Sequence, residues 1–196
     1  MARKKENAVI LSQEMIARDI YSMWIKTDAA KEAAPGQFIS MYTNDGSRLL
    51  PRPISICEIN KMDSSLRVVY RVTGKNTGTE LFSRMKAGDT IPVIGPLGNG
   101  FPYKEASGKK VFLMGGGIGV PPILELAKQM ECGKKQIIMG YRDAETFLKD
   151  EFEKYGEVYV STEDGSVGTR GNVMDAIREN GLEADVIFAC GPTPML

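Results

Sequence analysis

The stretch VFLMGGGIGVPPILELAKQME, residues 111–131, carries the pattern that decides the fold of the second half of the chain. Its apolar start predicts a buried strand, and its paired prolines predict the first turn of a helix. Glycines at such a strand–helix junction let the backbone approach a pyrophosphate, and the helix N-terminus favours anionic charge. The stretch predicts either the first turn of a nucleotide-binding unit or a tight turn without a ligand. The spacing departs from G-x-G-x-x-G, because Val120 stands where the last glycine would follow Gly115 and Gly117.

Strands and helices continue to alternate after this stretch. Apolar runs predict strands at residues 136–141, 157–162 and 184–190, and helical patterns lie at residues 144–155 and 172–180. Such alternation indicates βαβ units and a four-stranded parallel sheet. Because a parallel sheet is normally covered on both faces, the sheet reads as unfinished, and we expect the chain to be part of a longer protein.

The first half has a different rhythm, with short β-prone runs bounded by turn residues. Six runs at this spacing predict a closed antiparallel β-barrel, interrupted by one helix at residues 78–87. The expected domains are a barrel over residues 1–103 and a nucleotide-binding α/β domain over residues 104–196. The predicted barrel strands are residues 7–13, 19–26, 37–42, 54–59, 66–72 and 90–94.

Composition excludes several functional classes. The chain has 196 residues, 25 basic and 25 acidic side chains and no histidine. A nucleic-acid surface would show a basic excess, and the longest apolar stretch is too interrupted to span a bilayer. Three distant cysteines predict no disulfide framework and fit a reducing cytoplasm, and no secretion signal begins the chain. Without histidine or clustered cysteines, no metal site is expected within this chain, and its chemistry must come from an organic cofactor.

Several polar residues occupy positions that suit a dinucleotide, although each has a simpler explanation. Asp143 would accept from a ribose 2′-hydroxyl, whereas Arg142 would meet a 2′-phosphate, and a solvated charge pair explains both equally. In the first half, Arg52 suits a phosphate and Ser55 a ring nitrogen. Thr79, at the start of the only barrel helix, suits a pyrophosphate.

Five elements occur in order along the chain: RPISI, GTE, GPLGNGF, GGGIGVPP and CGPTPM. Together they resemble the ferredoxin reductase superfamily, and within it the electron-transfer subunits of bacterial NAD-dependent dihydroorotate dehydrogenase. The resemblance covers nearly the whole chain, and the ordered set is far more specific than any one element.

The resemblance implies two cofactors and their sites. Ser55 would lie beside flavin N5 and Cys190 near the nicotinamide, the two positions where hydride is exchanged. The residues implied for FAD are Arg52, Pro53, Ile54, Ser55, Tyr70, Arg71, Val72, Gly78 and Thr79. The residues implied for NAD are Gly115, Gly116, Gly117, Gly119, Asp143, Cys190, Gly191 and Pro192.

The resemblance also implies a chain of electron transfer. Electrons would pass from an FMN-containing catalytic partner, in a heterotetramer, through a [2Fe–2S] cluster and FAD to NAD, in pyrimidine (UMP) biosynthesis. The family holds its cluster with cysteines beyond the C-G-P-x-P-M element, so no cluster ligand is assigned in this chain.

Alternative functions stay open on sequence alone. The small subunit of a sulfide dehydrogenase or of an NADH-dependent ferredoxin:NADP oxidoreductase would share the same elements, and a stand-alone flavin reductase would need no cluster. A non-catalytic binding module is the alternative outside the enzymes, although neutral charge disfavours RNA as its partner.

Overall fold

The computed structural model describes residues 5–46 and 49–195. The chain divides into two compact units, Met1–Gly100 and Phe101–Leu196. We call the first the barrel unit and the second the α/β unit.

Six antiparallel strands close the barrel unit in the order β1-β2-β5-β4-β3-β6. Strand β6 completes the closure, because it pairs with β3 on one side and with β1 on the other. A short helix, α1 (Gly78–Ser83), connects β5 to β6. The strands are β1 (Glu6–Ala17), β2 (Ile20–Lys26), β3 (Phe38–Met41), β4 (Arg52–Asn60), β5 (Ser65–Arg71) and β6 (Thr90–Leu97).

The barrel interior is filled by apolar side chains that alternate with outward-facing residues along each strand. Helix α1 joins this core through Phe82, which is 1% exposed and packs edge-on against Tyr70 with 6.1 Å between ring centroids. The strand residues of the core include Ala8, Ile10, Met23, Ile25, Ile39, Met41, Ile56, Leu66, Val68, Ile91 and Val93.

The α/β unit is built on a five-stranded parallel sheet in the order β10-β9-β8-β7-β11. Residues 121–127 of α2 are buried, and α4 packs Val173 and Ala176 against Phe112, Met114 and Ile138 of the sheet. The elements are β7 (Lys110–Gly116), α2 (Pro121–Gln129), β8 (Lys134–Tyr141), α3 (Lys149–Phe152), β9 (Glu157–Thr162), β10 (Thr169–Arg170), α4 (Val173–Glu179) and β11 (Val186–Cys190).

The strand order contains one reversal of direction. From β7 the chain builds outward through β8, β9 and β10, and then returns to place β11 on the other side of β7. In open parallel sheets, ligands bind at the carboxyl ends of the strands beside such a reversal. The expected binding crevice of this unit therefore lies between the ends of β7 and β11.

The two-domain fold class predicted from sequence is confirmed, but the α/β unit differs from the prediction in two elements. The helix predicted at residues 144–155 is wrong, since only Lys149–Phe152 is helical. Leu148 adopts a left-handed backbone (φ 68°), and the Tyr141 hydroxyl donates to the Phe147 carbonyl at 2.7 Å. These contacts bury Phe147 and Leu148 and prevent an earlier helix start. The predicted four-stranded sheet is also wrong, because the two-residue strand β10 adds a fifth.

No helix within residues 5–46 and 49–195 is long and apolar enough to cross a membrane.

Candidate cofactor sites

The guanidinium of Arg52 lies directly against Gly78 at the start of α1. A methyl group at Gly78 would stand 2.8 Å from Arg52 Nε and 2.9 Å from Cζ, closer than side chains normally pack. Arg52 Nη1 also donates to the Leu50 carbonyl, which holds the side chain in place. The structure thus brings together two residues, 26 positions apart in the chain, that the family resemblance assigns to FAD.

The turn that leads into α1 is closed by threonine hydroxyls. Thr77 caps the helix by accepting from the Glu80 amide at 3.2 Å, and its oxygen lies 3.2 Å from Thr79 Oγ1. Thr79 is 7% exposed, and its hydroxyl accepts from the Thr73 amide at 3.4 Å. The Thr79 hydroxyl therefore has partners within the turn itself. Thr77 was not identified as the helix cap from the sequence, because both Thr77 and Thr79 in the sequence T-G-T-E are candidate caps.

The other predicted residues of β4 occupy both faces of the strand. Ile54 packs against the barrel core, whereas Pro53 is exposed. Ser55 is half-buried and pairs in register with Phe38 of β3. Because side chains alternate along a strand, Ser55 stands on the face opposite that of Ile54, outside the barrel.

The residues predicted at the end of β5 also include one in the barrel core and one on the outside. Tyr70 is 1% exposed, stacks on Tyr21 with 5.9 Å between ring centroids, and donates its hydroxyl to Gln13 Oε1 at 2.7 Å. Burial, and then the proximity of Tyr21, raises the pKa of Tyr70. Its side chain therefore belongs to the barrel core, and Arg71 is exposed. Val72 lines a cleft of about 480 Å³ beside α1 with Thr73, Gly74 and Lys75.

In the α/β unit the glycine-rich turn is packed tightly against the end of β11. A methyl group at Gly119 would stand 2.3 Å from the Cys190 carbonyl oxygen and 2.7 Å from Gly191 Cα. At Gly116 it would stand 2.5 Å from Met195 Sδ and 3.2 Å from Pro192 Cδ. The two sequence elements predicted to share a dinucleotide are thus in contact at the reversal of strand order.

The remaining glycines of the turn have local roles. A methyl group at Gly115 would stand 2.8 Å from Val120 Cα, and Gly117 has a positive φ of 52°. Packing within the chain therefore accounts for Gly115, Gly116 and Gly119 without a ligand. Their role towards a pyrophosphate stays a prediction.

Cys190 ends β11 and is in register with Gly115 of β7. Burial raises the pKa of its thiol, so the neutral form prevails at pH 7. The thiol is consequently suited to contact a ring and poorly suited to attack it. No site role was predicted from the sequence for Met195, whose thioether covers Gly116 and Gly191, and only the close approach of those glycines reveals this contact.

Asp143 lies two residues beyond the end of β8, on the same sheet edge as the glycine-rich turn. Its side chain is exposed, and Oδ1 accepts from the Glu145 amide at 2.9 Å. The other carboxylate oxygen leaves an acceptor for a ribose hydroxyl. Across the described ranges 5–46 and 49–195, no group of three or more Cys, Asp or Glu side chains is arranged to hold a metal ion.

Comparison with known proteins places the chain among its relatives. No model of a protein family matches the sequence. It is 43% identical over 201 residues to the electron transfer subunit of dihydroorotate dehydrogenase B (NAD(+)) from Geobacillus sp. (strain WCH70), covering 98% of this chain and 77% of that protein. The chain belongs to this family. The dihydroorotate dehydrogenase B electron transfer subunit of Fusobacterium nucleatum subsp. nucleatum is 44% identical over 203 residues, covering 98% of this chain and 78% of the relative.

A solved structure extends this family assignment to the fold. An NADH-dependent reduced ferredoxin-NADP oxidoreductase superposes with a TM-score of 0.84 and 32% identity, covering 96% of this chain and 68% of that chain. This chain therefore shares the barrel and parallel-sheet architecture of ferredoxin reductase-like enzymes.

Proposed function

We propose that this chain transfers electrons within an NAD-dependent dihydroorotate dehydrogenase, with FAD bound by the barrel unit and NAD by the α/β unit. The observation that carries the proposal is the 43% identity to such a subunit across 98% of the chain. The contacts of the two units support it, since each collects predicted cofactor residues from distant parts of the sequence.

The barrel residues fit the phosphates of FAD. Arg52 provides a planar cation with several donors, the geometry that suits phosphate oxygens. Because Gly78 has no side chain, the guanidinium can lie directly against the backbone at the start of α1. A methyl group at Gly78 would collide with it. The adjacent cleft of about 480 Å³ is in the size range of ligand pockets, and Val72 contributes to its wall. Arg52, Gly78 and Thr79 would anchor the phosphates, and Pro53, Ile54, Ser55, Tyr70 and Arg71 complete the proposed FAD set.

The α/β residues fit a dinucleotide at the ends of β7 and β11. The small residues at this junction let the two backbones approach closely, and Gly115, Gly116, Gly117 and Gly119 would bind the pyrophosphate. Cys190, Gly191 and Pro192 would form the wall beside the nicotinamide, and the exposed Asp143 would accept from the adenosine ribose. A carboxylate at that position favours a 2′-hydroxyl over a 2′-phosphate, and hence NAD over NADP.

When both cofactors are bound, they supply hydride exchange between nicotinamide C4 and flavin N5. The chain contributes orientation rather than proton transfer, and so histidine is not needed. Ser55 would direct its hydroxyl towards the flavin ring from the outer face of β4. The neutral thiol of Cys190 would limit the position of the nicotinamide without forming a bond to it.

The origin of the electrons is also part of the proposal. Dihydroorotate loses two electrons and two protons on oxidation to orotate, and NAD⁺ takes up both electrons and one proton as hydride. The name of the relatives, an electron transfer subunit, supports a catalytic partner subunit. We propose that the partner contains FMN and forms a heterotetramer with this chain, and that a [2Fe–2S] cluster held beyond the C-G-P-x-P-M element of this subunit connects FMN to FAD. The complex would serve pyrimidine synthesis.

A visible spectrum of the FAD-loaded full chain, titrated anaerobically with NADH, tests the core of this function. We expect the flavin band near 450 nm to bleach with NADH and much less with NADPH. Addition of dihydroorotate to the complex with the FMN-containing partner should bleach this band by more than reduction of the partner's FMN alone accounts for. A flavin that is not reduced by dihydroorotate but is reduced by NADPH with ferredoxin would instead favour the ferredoxin-NADP oxidoreductase alternative. The superposed structure is the argument for that alternative.

A further inference from the structure

The side chain of Gln13, in β1, joins three separate elements of the barrel unit. Its amide nitrogen donates to the carbonyl of Phe82 at 3.0 Å and to that of Met85 at 2.8 Å. Its amide oxygen accepts from the Tyr70 hydroxyl at 2.7 Å. Gln13 is half-buried, and both of its amide N–H donors are used by these contacts.

The Phe82 carbonyl lies in the last turn of α1 and also accepts from the Met85 amide at 3.0 Å, and the Met85 carbonyl lies two residues beyond the end of the helix. Helix α1 has only six residues, and a helix of that length is not stable by itself in water. Its position depends on contacts from the barrel, of which the buried Phe82 ring is one. The Gln13 amide supplies the polar counterpart, because it donates to the Phe82 carbonyl at the end of the helix and to the Met85 carbonyl just beyond it.

The opposite end of α1 carries Gly78, which lies against the Arg52 guanidinium. The fit is tight, with 2.8 Å between Arg52 Nε and the position of a Gly78 methyl group. A small shift of α1 along its axis would therefore change the spacing between the guanidinium and the turn at Gly78 and Thr79. Gln13 holds the C-terminal end of α1 and thereby sets the position of its N-terminal end, which is assigned to FAD.

We propose that Gln13 is a positioning residue for FAD, which acts by holding α1 so that Gly78 and Arg52 keep the spacing required by the flavin phosphates. This inference rests on the proposed function, because it presumes that the barrel unit binds FAD. Gln13 itself does not touch the cofactor and takes no part in hydride transfer.

The inference is tested by titrating the full chain with FAD and measuring binding from the quenching of flavin fluorescence. Gln13→Met keeps the length of the side chain and removes all three hydrogen bonds, and it should raise the FAD dissociation constant about tenfold. Gln13→Glu keeps the acceptor for Tyr70 but loses both donors, and it should not restore binding. Gln136→Met is the matched control, since Gln136 is buried in the α/β unit and donates to the Glu183 carbonyl at 2.9 Å. It should bind FAD like the unchanged chain.

A double-mutant cycle separates positioning from a general loss of stability. If Gln13 acts through the Arg52 contact, Gln13→Met should weaken FAD binding much less in an Arg52→Ala background than in the unchanged chain. Independent tenfold losses in both backgrounds, or normal binding by Gln13→Met, would overturn the inference. A folded unchanged chain that does not bind FAD would overturn the proposed FAD site, and the inference with it.

Discussion

At the scale of single residues, the contact between Arg52 and Gly78 is the strongest link between sequence and proposed chemistry. Neither residue is diagnostic alone, since an arginine before a strand and a glycine at a helix start are both common. Their packing couples the two residues, because a side chain at Gly78 would need the volume that the Arg52 guanidinium now occupies. The sequence could pair these residues only through the family resemblance.

Gly78→Ala should displace the Arg52 guanidinium and weaken FAD binding at least tenfold, while the barrel remains folded. Alanine is otherwise favoured over glycine in a helix by up to about 1 kcal/mol, so a simple loss of helix stability is not expected. The measurement is the FAD dissociation constant by fluorescence titration. Gly46→Ala is the control, because a methyl group at Gly46 meets nothing within 4 Å. Equal affinities for the two variants would contradict the role given to this contact.

At the scale of elements, the sequence predicted every strand except β10 and placed the helices with uneven accuracy. Long runs with clear periodicity, such as β8 and α2, follow directly from local pattern. The predicted helix at residues 144–155 failed because Leu148 has a left-handed backbone, which a helix does not allow, and because Phe147 and Leu148 are buried in this non-helical conformation. Strand β10 has two residues, too few for any period to appear. The roles of the site residues stay predictions, because alternation along a strand shows which face a side chain occupies but does not show which ligand it binds.

Helix α4 offers a prediction at this scale, because its start is a capping box. Asn172 Oδ1 accepts from the Met174 amide at 2.8 Å, and Asp175 Oδ2 accepts from the Asn172 amide at 2.8 Å. Asn172→Ala should lower the free energy of unfolding by about 1 kcal/mol in urea titrations. Asn172→Ser should recover most of that loss, since serine is an equally good cap. If both variants were as stable as the unchanged chain, the cap would not contribute to stability.

At the scale of the whole molecule, each unit contains a buried tyrosine that responds to alkaline pH. Burial raises the pKa of Tyr70 in the barrel unit and of Tyr141 in the α/β unit. The unfolded chain loses these phenolic protons near pH 10, whereas the folded chain retains them. Their contribution to stability is therefore complete below about pH 10 and is lost as the pH rises further.

Urea unfolding between pH 9 and 11 measures this linkage. Above about pH 10, each buried tyrosine should lower the free energy of unfolding by up to about 1.4 kcal/mol per pH unit. Tyr70→Phe and Tyr141→Phe should each make the decline less steep. Phe82→Leu is the control, since it disturbs the barrel core without removing a titrating group, and its decline should match that of the unchanged chain. If the free energy of unfolding declined with pH as steeply in both tyrosine variants as in the unchanged chain, groups other than these tyrosines would determine the alkaline loss of stability.

The return of β11 to the side of β7 also has a kinetic consequence. Gly119 and Cys190 are about seventy residues apart in the chain, so their contact closes a long loop and raises the contact order of the unit. Contacts of this kind are costly in chain entropy until the intervening strands have formed. The glycine-rich turn can thus be synthesised and folded well before the wall that completes its crevice. During biosynthesis the proposed dinucleotide site would be among the last parts of the unit to form, and nucleotide binding there would report that β11 has paired with β7.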